Sequence, residues 1–130
     1  MGLFLGLRTI IYPAPDLGAS TAWFSGLLGI KPYFEEPFYV GFEVAGYELG
    51  LDPHRDPALG PVTYWGVADL DAALAQATAA GARPDSGIDE VGGSIRVATV
   101  LEPGGAVLGL IENPHFALPT APEPTSGPGR

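Results

Sequence analysis

The sequence contains no cysteine, few charged residues and no long apolar run, and each shortage excludes a class of protein. Without cysteine the 130-residue chain has no disulfide, no thiolate zinc site and no cysteine nucleophile. Only 16% of the residues are charged, and the six Lys and Arg are scattered singly among 15 Asp and Glu, giving a formal charge of −9. Nucleic acids and anionic membranes both require clustered cations, so neither is an expected partner.

The N-terminal segment, residues 1–8, has no basic region, and its apolar run is too short for a signal peptide or a membrane span. A cytoplasmic protein is therefore predicted. The 46% of hydrophobic residues provide for a core, and the chain has the length of one domain. The 19 Gly and 14 Pro indicate many turns rather than disorder, since disorder combines low hydrophobicity with high charge.

An internal repeat is the most informative pattern. Residues 16–32 and 69–84 both begin with Asp-Leu and both end with Gly, one residue, a basic residue and Pro. Further on, the Leu-Gly-Leu of residues 49–51 recurs at residues 108–110. Three matches in the same order predict two modules of similar structure, about residues 7–52 and 62–113, joined by a linker at 53–61.

Each module has the pattern of a βαβββ unit. Apolar, β-branched runs predict strands, and Asp16 and Asp69 are predicted N-caps of two helices that end near Gly29 and Gly81. The predicted strands are 7–12, 32–36, 38–44 and 47–52 in the first module, and 62–67, 83–89, 94–101 and 106–112 in the second. Residues 114–130 contain five Pro and are predicted to be a disordered tail, at least beyond Phe116.

Each predicted helix carries an apolar stripe at helical spacing. In the second helix the stripe is formed by Leu70, Ala73, Leu74 and Ala77. In the first helix the expected stripe is formed by Ala19, Ala22, Trp23 and Leu27. Both stripes are predicted to face the sheet.

In its order and spacing of motifs, the chain resembles the vicinal oxygen chelate superfamily. The motifs are Asp16-Leu17 leading to Trp23-Phe24, the segment 67–74, and the turn 102–105 before the strand that ends at Glu112. The superfamily includes glyoxalase I, extradiol dioxygenases, fosfomycin resistance proteins and bleomycin-binding resistance proteins. The resemblance implies an α+β fold in which two tandem βαβββ modules form a curved mixed-sheet cup with the helices outside, and it implies a homodimer.

The superfamily's metalloenzymes hold a divalent ion in this cup through ligands on the first and last strand of each module. Carried onto this chain, those positions are Thr9, Gly50, Val62 and Gly109. Gly and Val have no donor atom and a lone Thr is a poor ligand, so no metal and no other cofactor is expected. A set rearranged to Glu48, Asp52 and His54 stays open as an alternative.

Strand alternation predicts which side chains line the cup. It places Phe38, Val40, Phe42 and Val44 in the core, and likewise Ile95, Val97, Thr99 and Leu101, so that Glu43 and Arg96 point into the cup. The residues predicted to bind a ligand are Thr9, Ile11, Tyr39, Glu48, Gly50, Asp52, Tyr64, Arg96, Gly109 and Ile111.

Aromatic rings beside carboxylates favour a flat or cationic small molecule through stacking, cation–π attraction and charge pairing. The first hypothesis is a metal-independent binding protein of the bleomycin-resistance type, with a role in antibiotic resistance. The second is a metal-free isomerase, lyase or hydrolase, with Glu43 or Glu48 as general base and Arg96 or a Tyr hydroxyl steadying negative charge. The third is a metalloenzyme with the rearranged ligands.

Overall fold

The structure, a computed structural model, describes residues 3–116, so most of the tail expected to be disordered lies outside the described residues. Within this range the chain forms two βαβββ-like modules joined by a 3-10 turn at Pro57–Leu59, as the repeat predicts. In the second module two short strands replace the single strand expected after the helix. The helices are α1 (Leu17–Leu28) and α2 (Leu70–Ala79). The strands are β1 (Gly6–Pro13), β2 (Phe34–Glu36), β3 (Tyr39–Val44), β4 (Tyr47–Asp52), β5 (Val62–Gly66), β6 (Arg83–Pro84), β7 (Asp89–Glu90), β8 (Arg96–Leu101) and β9 (Val107–Glu112).

All nine strands of the described residues belong to one mixed sheet, in the order β2-β3-β4-β1-β5-β9-β8-β6, with β7 paired to β8. The two modules meet where β1 pairs antiparallel with β5 of the same chain, Ile10 lying opposite Thr63. Within each module the first strand pairs parallel with the last, β1 with β4 and β5 with β9. The α+β fold is thus confirmed, and one chain brings both modules into a single sheet.

The local signals at the helix ends and at the β3–β4 hairpin are confirmed. The carboxylates of Asp16 and Asp69 accept hydrogen bonds from the backbone N–H groups of Ala19 and Ala72, each at 3.1 Å. Gly29 ends α1 in the left-handed conformation at φ 71°. Ala45 and Gly46 both have positive φ, which is the two-residue turn whose twist matches an antiparallel hairpin.

Each module has its own buried cluster between its helix and the sheet. In the second module Leu70 and Ala73 of α2 pack against Ala98 and Leu110, as the predicted stripe requires. In the first module the prediction for α1 was wrong, because Ala19, Ala22, Trp23 and Leu27 are exposed. The inward row is instead formed by Leu17, Thr21, Phe24 and Leu28.

The aromatic packing of Phe24 explains why α1 turns this row inward. Its ring stacks on Tyr12 with 5.6 Å between centroids and lies 6.4 Å from Phe42, which is fully buried. Trp23 is 61% exposed and contacts Phe24 edge-on. Because the helix carries two apolar rows, apolar spacing alone does not decide which row faces the sheet.

Alanine substitutions at two glycines near the end of α1 are predicted to change the stability of the fold in opposite directions. A Cβ at either Gly26 or Gly29 would meet no atom within 4 Å, but Gly26 has helical φ and Gly29 has φ of +71°. Gly26→Ala is expected to stabilise the fold by about 1 kcal/mol because alanine is the better helix former. Gly29→Ala is expected to destabilise it by roughly 1–2 kcal/mol because alanine is strained in the left-handed region.

The measurement is the urea unfolding midpoint of each variant against the wild-type chain. Both variants gain the same methyl group in open space, so each is the control of the other. Two shifts of the same sign would contradict the assigned end of α1.

Candidate functional site

One face of the sheet carries a cavity of about 710 Å³, which we call the cup. Its lining comes from β1, β2, β3, β4, β5, β8 and β9 and from the segments beside them. Seven of the ten residues expected to bind a ligand line it: Thr9, Ile11, Tyr39, Glu48, Asp52, Tyr64 and Ile111. Glu43, the candidate base, lines it as well.

Glu48 is the centre of a hydrogen-bonded cluster on the first module's side of the cup. Its Oε2 accepts from the hydroxyl of Tyr33 at 2.6 Å and from that of Tyr39 at 3.0 Å. Its Oε1 accepts from the hydroxyl of Thr9 at 3.2 Å. Thr9 lies opposite Glu48 in the parallel β1–β4 pair, so the strand register itself places these two side chains together.

The tyrosines of this cluster are held as neutral phenols. Burial raises the pKa of Tyr33 above its usual value of 10.0, and the hydrogen bond and negative charge of Glu48 raise it further. Burial is also the largest cause of the raised pKa of Tyr39, followed by the charge of Glu48 and the hydrogen bond to it. Burial likewise raises the pKa of Tyr64, which lines the cup outside the Glu48 cluster, against the opposing charge of Arg55. At neutral pH the hydroxyls of Tyr33 and Tyr39 are protonated and donate to Glu48.

The two glycines of the predicted site, Gly50 and Gly109, face the cup side of the sheet without forming its surface. Each makes room for a tyrosine ring: a Cβ at Gly50 would collide with the hydroxyl of Tyr39, and one at Gly109 would lie 2.6 Å from the ring of Tyr64. The tyrosine rings therefore pack directly on these two glycines, which lie outside the lining of the cup.

Two predicted face assignments were wrong. Ile95 and Val97 line the cup, whereas Ala98 and Val100 are buried in the core, so β8 presents the opposite face from the one expected. The first of the expected core residues of β3, Phe38, is 58% exposed and also lines the cup, because it precedes the strand and does not follow its alternation.

Arg96 consequently lies outside the cup. Its Nη2 atom is 2.9 Å from Oε1 of Glu112 and 3.1 Å from Oδ2 of Asp71 in α2. The same Glu112 oxygen accepts the backbone N–H of Leu70 at 2.8 Å, and that bond and the Arg96 contact lower the pKa of Glu112. This ion-pair group joins α2 to β8 and β9, so Arg96 does not point into the cup as predicted.

Three parts of the lining were not found from the sequence. The first is an aromatic wall in which Tyr33, Phe34 and Phe38 join Tyr39, with centroids 6.1–6.4 Å apart between neighbours. The second is Arg8, and the third is the rim at Tyr47, Val91, Asn113 and Phe116. The run of aromatic residues at 33–38 was the signal in the sequence that could have indicated this wall. These side chains are exposed in the structure, and an exposed apolar patch often marks a binding site.

The residues at the superfamily's metal positions do not fit a metal ion. The tyrosine rings over Gly50 and Gly109 occupy the space that ligand side chains would use. The neighbouring carboxylate of Glu48 already accepts hydrogen bonds from three hydroxyls. Within residues 3–116 no three His, Cys, Asp or Glu side chains are grouped to hold a metal, so the structure does not assemble the rearranged set with Asp52 and His54.

Comparison with solved structures shows the fold to which this site belongs. Methylmalonyl-CoA epimerase from Streptomyces coelicolor, in complex with 2-nitronate-propionyl-CoA, matches with a TM-score of 0.69 and 18% identity, over 91% of this chain and 100% of that one. The epimerase from Mycobacterium tuberculosis matches with a TM-score of 0.67 and 20% identity, over 87% and 91%. The Mn(II)-bound glyoxalase from Novosphingobium aromaticivorans matches with a TM-score of 0.70 and 17% identity, over 97% of this chain and 44% of that one.

The chain therefore has the fold of the vicinal oxygen chelate superfamily, as its sequence motifs indicated. At these identities the likeness shows the fold alone. No family model and no curated protein matches the chain. Within the described residues no helix is long and apolar enough to cross a membrane.

Proposed function

We propose that the chain is a metal-independent binding protein that holds an aromatic, cationic small molecule in the cup. The observation that carries this proposal is the composition of the cup around Glu48. Phenol and phenyl rings form one wall, and three of the charged side chains in the lining are carboxylates: Glu43, Glu48 and Asp52. Arg8 is the single cation of the lining, so the charge of the lining favours a cation.

The geometry of Glu48 favours binding over proton transfer. Three hydroxyl donors already share the two Glu48 oxygens, one at Oε1 and two at Oε2, so a proton taken from a substrate would compete with them, whereas a cation can pair with the carboxylate without displacing them. A carboxylate held in this way keeps its orientation, which suits the pairing of a cation beside a ring stacked on Phe34 or Tyr39. The aliphatic wall of Ile95, Val97 and Ile111 would cover the other side of a flat ligand.

A metal-free isomerase, lyase or hydrolase is the second candidate, and the fold of the epimerases favours it, since those neighbours are enzymes. In that case Glu43 is the better base, because no hydrogen bond of the described residues occupies its carboxylate, while Arg96 has no part in the reaction.

The proposal of a binding protein also includes a homodimer in the cytoplasm and a role in antibiotic resistance by sequestration. Sedimentation of the purified chain measures the first of these.

The test is thermal unfolding with 2-naphthylmethylammonium, which combines a flat ring and a positive charge. At about 100 times its dissociation constant it is expected to stabilise the fold by about 2.7 kcal/mol. Cyclohexylmethylammonium lacks the aromatic ring and 2-naphthylmethanol lacks the charge, so both are expected to stabilise less. Glu43→Gln is expected to weaken binding of the ammonium probe by about threefold to tenfold.

Glu90→Gln is the matched control, because it removes the same charge from an exposed position outside the lining of the cup. It is expected to leave binding unchanged. The proposal fails if neither this probe nor a wider panel of basic aromatic compounds stabilises the protein while a substrate of the fold's enzymes is turned over. Equal effects of the two variants would also count against it.

A further inference from the structure

Arg8 reaches the cup through an irregularity in β1. The pairing of β1 with β5 runs from Leu7 opposite Trp65 directly to Thr9 opposite Tyr64, so Arg8 is an extra residue in a β-bulge. In a regular strand Arg8 and Thr9 would point to opposite faces of the sheet. The bulge allows both side chains to line the cup. Simple alternation from Thr9 therefore missed this arginine.

The guanidinium group of Arg8 is held in place by contacts on both of its sides. A Cβ at Gly66 would lie 2.7 Å from its Nε, and one at Gly6 would lie 3.2 Å from its Nη1, so the side chain occupies space that two glycines leave open. Its Cζ lies 3.8 Å from the centroid of the Phe116 ring. The glycines on one side and the ring on the other fix the plane of the guanidinium group.

This held guanidinium has no anionic partner among residues 3–116. Both ion pairs of that range are made by Arg96. The hydrogen bond from Arg8 Nη1 to the carbonyl of Leu7 is 3.4 Å long, beyond the usual range. Glu48 is opposite the next residue of β1, yet its carboxylate is turned to Thr9, Tyr33 and Tyr39. A partly buried guanidinium with unused donors therefore faces the cavity.

We propose that Arg8 is a second recognition point of the cup, which binds a carboxylate of the ligand through the fork of its guanidinium donors. The inference rests on the proposed function and narrows its ligand class. The ligand is a flat molecule that carries a cationic group toward Glu48 and a carboxylate toward Arg8. An Arg–carboxylate pair is bidentate and planar, and a ring stacked on one face of the guanidinium group leaves its N–H edge open for that contact.

The test uses two probes of the same ring, 2-naphthoate and 2-naphthylmethylammonium, with affinities measured by equilibrium dialysis. 2-Naphthoate is expected to bind Arg8→Gln at least tenfold more weakly than the wild-type chain. Arg8→Lys keeps the charge and loses the fork, so an intermediate affinity is expected. Lys31→Gln removes the same charge from an exposed position outside the lining and is expected to bind 2-naphthoate like the wild-type chain.

The bifunctional probe 6-(aminomethyl)-2-naphthoate is expected to bind the wild-type chain about tenfold more tightly than either single probe. In Arg8→Gln that advantage over the ammonium probe should disappear. Circular dichroism of each variant establishes that it is folded, and Arg8→Lys carries the test if Arg8→Gln is not.

The outcomes separate this inference from the proposed function. If the ammonium probe binds and 2-naphthoate binds the wild-type chain and Arg8→Gln equally or not at all, the carboxylate site is overturned while the binding function stands. If 2-naphthoate binds in an Arg8-dependent way and the ammonium probe does not bind, the cationic ligand is overturned and the carboxylate site stands.

Discussion

Gly109→Ala is expected to destabilise the protein by about 1–3 kcal/mol, the range measured when an atom is forced into a packed interior. The added Cβ would lie 2.5 Å from the backbone oxygen of Thr63 and 2.6 Å from the ring of Tyr64. The ring can move, but the Thr63 oxygen belongs to β5, which is hydrogen-bonded on one side to β1 and on the other to β9. The clash must therefore be relieved by shifting a strand.

The measurement is the thermal unfolding midpoint, which is expected to fall by roughly 4–12 °C for a domain of this size. Gly87→Ala is the matched control, because its φ is ordinary and a Cβ there meets nothing within 4 Å. It is expected to be neutral or slightly stabilising. An unchanged midpoint for Gly109→Ala would mean that β5 and β9 do not approach as closely as described.

Glu48→Gln is expected to lower the pKa of Tyr33 and Tyr39 toward 10 and to weaken binding of 2-naphthylmethylammonium by about tenfold. The amide keeps the shape of the side chain but removes the charge that contributes to the raised pKa of Tyr33 and Tyr39. Burial, the larger cause, stays, so the lowering is partial. The tenfold loss corresponds to about 1.4 kcal/mol of binding free energy, in the range of one charge-assisted contact.

The pKa effect is measured by tyrosinate absorbance as the pH is raised. In the folded wild-type chain Tyr33 and Tyr39 ionise above their unfolded value of 10.0, so the unfolded state loses these protons first. The contribution of these two tyrosines to stability is therefore fully present below about pH 10 and is lost as the pH rises beyond it. Glu48→Gln is expected to lose stability less steeply in that window. Identical tyrosine titrations in the variant and in Glu90→Gln would contradict the hydroxyl cluster.

Much of the fold was predictable from the sequence because its signals are local. The caps at Asp16 and Asp69, the left-handed Gly29 and the turn at Ala45 and Gly46 each act within a few residues, and each is found where expected. The repeat then set the order of elements, and the strands differ from expectation mainly in the second module. There the single strand expected at residues 83–89 is replaced by β6 and by β7, which begins at Asp89. Each of these strands pairs with β8 over only two residues.

The candidate site was less predictable, for three physical reasons. The strand β8 is apolar on both faces, so alternation could not decide which face lines the cup. Arg96 was therefore predicted to point inward, although Asp71 and Glu112 hold it outside. A bulge interrupts the alternation of β1 and brings in Arg8. Tyr33 lies outside the strands, and its contacts with Glu48 and Phe34, which strand alternation does not predict, make it part of the cup.

Calorimetric titration of 2-naphthylmethylammonium into protein dialysed against a chelator tests the central claim most directly. The claim is that the cup binds an aromatic cation through tyrosines and carboxylates, without a metal ion. The expected result is one binding site per chain, with the same dissociation constant before and after Mn²⁺ or Zn²⁺ is added. Binding that appears only after a divalent ion is added would contradict the claim.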